Sequence, residues 1–365
     1  MTDAAVTQRE RKVLEIIETA RAKRPRFKDE TVTMAHGAGG KATQTLIEGL
    51  LVPALATDGE TLEEMGDAGV VTIDGLGLAL TTDSYVVRPI TFPGGSIGEL
   101  AVNGTANDLA MAGARPRALS LALILEEGLP ADELRAQVET IAAAAEAAGV
   151  EIATGDTKVV ERGHADGMYI NTAGIGKVDE RARLSPRGLE RGDRILVSGT
   201  VGDHGSAIML ARDEFSLDAE IRSDTRPLWP AVDALLDAAG TGLHCLRDAT
   251  RGGAASVLNE LARASGVAIS VREGEVPVNP AVAGAAEMLG IDPMYVANEG
   301  KLLAFVAPER ADEALTALRS VPGCEAAAEI GEVKTEPPGM VLVETAFGGR
   351  RVMDQLVGDP LPRIC

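Results

Sequence analysis

Twice along this chain, runs with strand character are mixed with runs at helical spacing, and several strand runs face each other across turn residues. That order constrains the fold more than any other feature. It fits two α+β domains rather than one doubly wound sheet. In the first half, 70–73 and 78–82 flank Asp74-Gly75-Leu76-Gly77 and predict a β-hairpin, with Asp83 just past its second strand. A helix is expected from Ser96 to about Met111, a strand over 118–125, a helix opened by Pro130 and closed at Gly149, and a strand over 150–153 ending at Gly155-Asp156. A second hairpin is expected between 158–160 and 168–175. Ser185-Pro186-Arg187-Gly188 reads as a linker. Beyond it the mixture repeats, with a strand over 193–198, a helix near 206–211, a strand before Asp248, a helix over 253–264 and a strand over 267–271. The expected organisation is an extension over 1–30, domains over 31–184 and 185–344, and a mobile tail over 345–365. In the extension, Val13, Ile16, Ile17 and Ala20 lie at helical spacing ahead of a basic linker over 21–28.

A chain of 365 residues exceeds what one core usually serves. Aromatic residues are only 2% of it, so the cores must be built from Ala, Val, Leu and Ile, and the composition argues against single-stranded nucleic-acid binding by base stacking. With 35 basic against 55 acidic residues, the formal charge of −20 repels nucleic acid and anionic membranes. A phosphate-bearing ligand then needs cations, glycine-rich backbone or a local lysine to offset that field. Residues 1–11 carry no apolar signal core, and the longest apolar run, 119–125, is too short to span a bilayer. Cys245, Cys324 and Cys365 show no CxxC spacing, and His36, His164, His204 and His244 show no metal-ligand spacing. A soluble protein of the reducing cytoplasm is expected.

Within the helix after Ser96, Asp108 shares a stripe with Ile97, Ala101, Gly104 and Met111. A carboxylate on such a face needs a partner or a metal. Asp83, Asp156 and Asp248 fall at expected strand ends, and with Asp108 they offer the hard oxygens that Mg²⁺ takes beside phosphates; a turn or cap is the competing use of each. Glycine-rich backbone occurs at His36-Gly37-Ala38-Gly39-Gly40-Lys41 and at Arg251-Gly252-Gly253, neither matching a Walker P-loop. Lys158 and Glu299 complete the reactive groups, with surface ion pairs as their alternative. Cys365 is the last residue, too late for prenylation. Flanked by Arg363 and its own carboxylate, this thiol has no strong source of activation and suits an acceptor better than an autonomous catalyst.

These residues together resemble a known family. The motifs at 36–41, 81–85, 92–95, 104–110, 155–158, 248–253 and 298–300, with the terminal Pro-Arg-Ile-Cys, are similar to those of the HypE hydrogenase-maturation family. That family belongs to the PurM-like superfamily of aminoimidazole ribonucleotide synthetase and selenophosphate synthetase. The resemblance runs from about Met34 to Cys365. It implies two α+β PurM-like domains: an N-terminal ATP-binding domain whose sheets pair into a barrel in a homodimer, and an α/β sandwich-like C-terminal domain. It implies a carbamoyl dehydratase: a HypF carbamoyltransferase loads Cys365, and ATP-driven dehydration yields a thiocyanate. The cyano group then passes to a HypC–HypD complex.

By that resemblance Asp83, Asp108, Asp156 and Asp248 hold Mg²⁺, and Gly37, Gly39, Gly40, Lys41, Asn107, Thr157, Arg251, Gly252 and Gly253 join them around ATP. Lys158 would stabilise the phosphorylated oxygen and Glu299 would take the proton. Two rivals stay open: a small-molecule enzyme of the same superfamily, and a carrier or scaffold whose thiol binds a metal or partner.

Overall fold

The computed structural model describes residues 26–56, 65–212, 220–356 and 363–365. The amphipathic stretch around Val13–Ala20 lies outside the described residues.

The first domain is a five-stranded sheet in the order β1-β2-β7-β5-β6. Its strands are β1 (Gly69–Ile73), β2 (Leu76–Tyr85), β5 (Ala114–Glu126), β6 (Glu151–Val160) and β7 (Met168–Val178), and the short pair β3 (Thr91–Phe92) and β4 (Gly95–Ser96) stands apart. A short helix α1 (Lys41–Leu46) precedes the sheet. The predicted first hairpin is present: β1 and β2 pair antiparallel around Asp74-Gly75, both with positive φ. β2 runs on through Tyr85, so Asp83 lies inside it rather than past its end.

Helices α2 (Ile97–Met111) and α3 (Ala131–Ala148) cover one face of this sheet. Their Ile97, Leu100, Ala101 and Ile141 pack with Tyr85, Leu119, Met168 and Ile170. α3 ends on Gly149 in the left-handed conformation, as a C-terminal glycine permits. Among the described residues the opposite face is uncovered: Leu80, Ile124 and Ile175 are 47%, 36% and 37% exposed.

The second predicted hairpin does not form. Among the described residues β6 pairs only with β5, in parallel, while β7 inserts between β5 and β2. α3 is the crossover of a β5-α3-β6 unit, which places β6 outside β5 as the sheet's edge.

The second domain is a seven-stranded mixed sheet ordered β14-β13-β10-β12-β8-β11-β9. Its strands are β8 (Arg194–Val197), β9 (Leu243–Asp248), β10 (Ala268–Arg272), β11 (Leu302–Val306), β12 (Ala328–Lys334), β13 (Met340–Glu344) and β14 (Arg350–Met353). Its helices are α4 (Asp203–Ala211), α5 (Trp229–Ala239), α6 (Gly253–Ala264), α7 (Pro280–Leu289) and α8 (Ala311–Ser320). Here both faces are covered. Ile195, Val197, Leu303 and Phe305 pack with α6. Their neighbours Leu196, Leu302, Ala304 and Val306 pack on the other side with α5 and α8. Alternation along central strands thus feeds two apolar layers, the sandwich-like arrangement expected.

The mobile tail expected from residue 345 starts too early. β14 pairs with β13 over Val341–Met353, so 350–353 belong to the sheet, and residues 363–365 are docked on the first domain.

Candidate active site

The two domains meet along α2, whose last turns carry Asn107 and Asp108. α2 is buried on nearly every side, so its apolar stripe does not single out Asp108; its position over β2 does. Thr81 of β2 donates its hydroxyl to Asp108 Oδ2 at 2.8 Å. Asp83, two residues on, faces the same way. Asp248 arrives at the end of β9, and Glu299 from the loop before β11. These four carboxylates, with Asp67, Gly39, Gly40, Lys41, Arg251 and Cys365, line one cleft of about 1670 Å³.

Electrostatics in this cleft are dominated by desolvated like charge. Burial, then the charges of Asp248, Asp83 and Asp67, push the Asp108 carboxyl well above its ordinary range. Asp248 is pushed up by burial and by Asp67, and Glu299 by burial and by Asp248 and Asp83. Arg251 is the counter-charge: the negative charge at Cys365, followed by Asp83 and Glu299, holds its guanidinium more firmly protonated.

Asp67 is the residue that sequence reading missed. It pairs with Arg247 at 2.7 Å, both nearly buried, and its Oδ2 is buried without a hydrogen-bond partner among the described residues. Only its place in Gly66-Asp67 just before β1 could have drawn attention to it.

Among the described residues no three carboxylate, histidine or cysteine side chains close into a metal cage. The donors fit another mode, in which Mg²⁺ takes one or two carboxylates and completes its octahedron with phosphate and water. The orphaned Asp67 oxygen and the mutually repelling Asp108 and Asp248 are what a divalent cation would satisfy.

Three predicted site residues lie elsewhere. Paired positions share a sheet face, and Asp156 aligns with Ala122, Asn171 and Ser84, whereas Asp83 aligns with Thr172, Leu121 and Gly155. Asp156 and Lys158 therefore point from the uncovered face, three strand spacings or about 14 Å from β2. They form an exposed ion pair with each other, and Thr157 is also exposed. The sequence shows the motif but not the strand order or parity that separates it from Asp83.

Asn107 is likewise not a cleft residue. Its amide nitrogen donates to Arg226 O and Glu299 O, and its oxygen accepts from Leu228 N–H at 2.8 Å, so it fastens α2 to the second domain. Of the glycines, Gly39 and Gly40 line the cleft, while Gly37 and Gly252 line an adjoining groove that holds the tail. Gly253 is a packing glycine: at φ 61°, an added Cβ would sit 2.4 Å from Met294 O. Lys41 reaches Asp354 at 2.7 Å on the cleft wall.

The tail closes the site. A carboxylate oxygen of Cys365 accepts from Val86 N–H at 3.1 Å, and Arg363 O accepts from Arg88 N–H at 3.3 Å. Ile364 is buried in the first domain's core, and Arg363 pairs with Asp166. Cys365 is thereby half-buried at the cleft, while Cys245 and Cys324 are buried away from it.

Residues 65–178 match the family model of the AIR synthase related protein N-terminal domain, and 190–343 match that of its C-terminal domain. The chain is 48% identical to the carbamoyl dehydratase HypE of Bradyrhizobium diazoefficiens, over 92% of this chain and 96% of that one. Among solved structures it resembles the chain in a crystal structure of a HypE–HypF complex, at 43% identity and a TM-score of 0.81, covering 85% of this chain and 99% of that one. It also resembles a hydrogenase maturation protein HypE crystallised in complex with ATP, at 45% identity and a TM-score of 0.77, covering 92% and 100%. Among the described residues no helix is long and apolar enough to cross a membrane. With both halves matched and the curated relative covered almost end to end, the chain belongs to the HypE family of carbamoyl dehydratases, enzymes of hydrogenase maturation.

Proposed function

We infer that this chain dehydrates a carbamoyl group carried on its own Cys365, in the cytoplasm and with ATP as cosubstrate, to supply cyanide ligands for a nickel-iron hydrogenase site. The observation that carries this is the docking of the terminal thiol residue in the cleft that also gathers Asp83, Asp108, Asp248, Glu299 and Arg251.

A HypF carbamoyltransferase places the group on the Cys365 sulfur. The carbamoyl oxygen takes the γ-phosphoryl group of ATP as ADP leaves and one N–H proton is lost. Glu299, its carboxyl pushed up by burial and neighbouring negative charge, is suited to accept the second N–H proton. The C–O bond then breaks, phosphate departs with the oxygen, and S–C≡N remains for a HypC–HypD acceptor. Mg²⁺ beside Asp83, Asp108, Asp248 and Asp67 would neutralise triphosphate charge that the carboxylates otherwise repel. Gly39, Gly40 and Lys41 supply backbone and a cation at the cleft wall.

The uncovered face bearing Leu80, Ile124 and Ile175 suits the barrel of a homodimer. In that assembly Asp156, Thr157 and Lys158 are turned toward the second copy, and Lys158 serves the partner's phosphorylated oxygen. Beyond Met353 twelve residues remain, a reach of about 40 Å when extended, enough for the thiol to visit an outside enzyme and return.

Intact mass measurement after incubation with HypF, carbamoyl phosphate and ATP, and then with ATP and Mg²⁺ alone, tests the scheme. The expected result is a carbamoyl adduct on Cys365 that loses water only when ATP is present; absence of an adduct on Cys365 overturns it.

A further inference from the structure

Behind the cleft lies a buried histidine that the scheme above does not use. His204, in the first turn of α4, is fully buried and stacks edge-on against Phe92 with ring centroids 5.5 Å apart. Its Nε2 lies 2.6 Å from the carbonyl oxygen of Ile364, the peptide that precedes Cys365. A carbonyl oxygen only accepts, so Nε2 carries the proton, and Nδ1 is left to accept from Ser223 Oγ at 2.8 Å. Burial lowers the ring's basicity and keeps it in this neutral form.

Ser223 belongs to a strap, 221–226, that threads between the domains. Its N–H donates to Pro93 O at 2.8 Å, and Thr225 takes a hydrogen bond from Asn103 of α2. The next strap residue, Asp224, accepts from Glu299 N–H at 3.0 Å, Gly300 N–H at 3.2 Å and Lys301 Nζ at 3.0 Å. The fit is tight, since a Cβ on Gly300 would fall 1.9 Å from Asp224 O. One short segment thus grips the last tail peptide through His204 and the backbone of Glu299 through Asp224.

We propose that His204 is the positioning residue that seats Cys365 in the cleft, and that the strap sets tail register and Glu299 orientation together. This rests on reading Cys365 as the carbamoyl carrier. Without the imidazole, Ile364 O would be a buried acceptor with its partner removed, and the docked state would lose population to the undocked one.

The full-length chain with His204→Leu and His204→Gln tests it. The Gln amide can present a donor near the place of Nε2. Alkylation of Cys365 by a maleimide, followed by peptide mass spectrometry, reads docking without reference to the chemistry. His204→Leu is expected to speed it about tenfold, the worth of one net hydrogen bond, with His204→Gln near wild type. One tenfold shift of the docking equilibrium is divided between the two readings, so single-turnover dehydration of the loaded chain at saturating ATP is expected to slow by less than about twofold in His204→Leu, with the ATP KM unchanged; a purely structural defect would slow it further and move the KM as well.

Cys245 and Cys324, both buried, report any loss of fold. If they react in His204→Leu, Ser223→Ala takes its place, since it leaves the ring packed and removes its Nδ1 partner, together with the acceptor of the Thr225 N–H at 3.2 Å; alkylation at the wild-type rate there overturns the proposal. Wild-type alkylation in a folded His204→Leu overturns it, and so does a folded His204→Gln that behaves like His204→Leu. If the alkylation pattern holds while no chain dehydrates its carbamoyl group, the docking role stands and the carbamoyl reading falls.

Discussion

Two strands of one sheet carry nearly the same signal, Thr82-Asp83-Ser84 on β2 and Gly155-Asp156-Thr157 on β6. Their local geometry is also the same: each aspartate accepts from the N–H of the next residue, at 2.7 and 2.8 Å. Everything beyond the tripeptide differs. β2 is interior to the sheet and roofed by α2, so the charge of Asp83 helps push up Asp108, Asp248 and Glu299. β6 is an edge, and Lys158 and the Thr157 N–H draw the carboxyl of Asp156 down. A tripeptide fixes how an aspartate sits on its own backbone; strand order and parity fix what it can act on.

The largest effect should come from the buried side of that comparison. Asp108→Asn is expected to slow ATP-dependent dehydration by on the order of 10²–10³-fold, as removal of one preorganised charge-stabilising group does, while carbamoylation of Cys365 proceeds at the wild-type rate. Dehydration at the wild-type rate would take Asp108 out of the chemistry.

Next in size is a complementation. Lys158→Ala and Asp108→Asn chains, each inactive alone, are expected on mixing and subunit exchange to recover roughly a quarter of wild-type turnover. Half of randomly assorted two-fold dimers then hold one intact site, if Lys158 serves the partner. No recovery despite exchange, checked with differently tagged chains, would place Lys158 at its own chain's site and break the division between the two strands.

A smaller, thermodynamic effect follows from the carboxylates. The pKa of Asp108 is raised in the fold above an unfolded value of about 3.9. Its contribution to stability is therefore full below that unfolded value and is lost as pH rises through the raised folded value. Without Mg²⁺ or nucleotide, Asp108→Asn is expected to unfold at a higher temperature than wild type at pH 8, with the gap narrowing toward pH 5. Calorimetry across that range checks it, and a gap that widens on acidification contradicts the assigned repulsion.

Much of this layout is legible in the sequence where short-range rules govern. The α6 helix begins at Gly253 and ends at Ala264 as its pattern predicts, and the Asp74-Gly75 hairpin and the Pro130 to Gly149 helix follow from turn and cap residues. What escapes is long-range. The turn-rich stretch between β6 and β7 looks like a hairpin loop, yet α3 carries β6 to the far side of β5. Asn107 sits one residue from Asp108 in a ligand-like motif, but the close approach of Arg226 and Glu299 backbone consumes its amide. Asp67 is inconspicuous until the fold sets it beside Arg247 and Asp248. The tail reads as mobile because its composition says nothing of His204, Asp166 and the Val86 amide that receive it.

The smallest effect belongs to Asp156, and it sharpens the comparison because it is nearly silent in one measurement and not in another. Its side chain and that of Lys158 are 63% and 67% exposed, so their ion pair is screened by water and ordered at an entropic cost. Asp156→Asn is therefore expected to leave the thermal midpoint unmoved across pH 5–8, where Asp108→Asn is pH-dependent. Its Asn keeps the oxygen that accepts from Thr157 N–H but releases the Lys158 ammonium. If β6 faces a second copy, that release should raise the salt sensitivity of dehydration without changing carbamoylation. A thermal midpoint that shifts with pH as Asp108→Asn does would mean that Asp156 lies among buried charge, and the contrast between the two strands would fail.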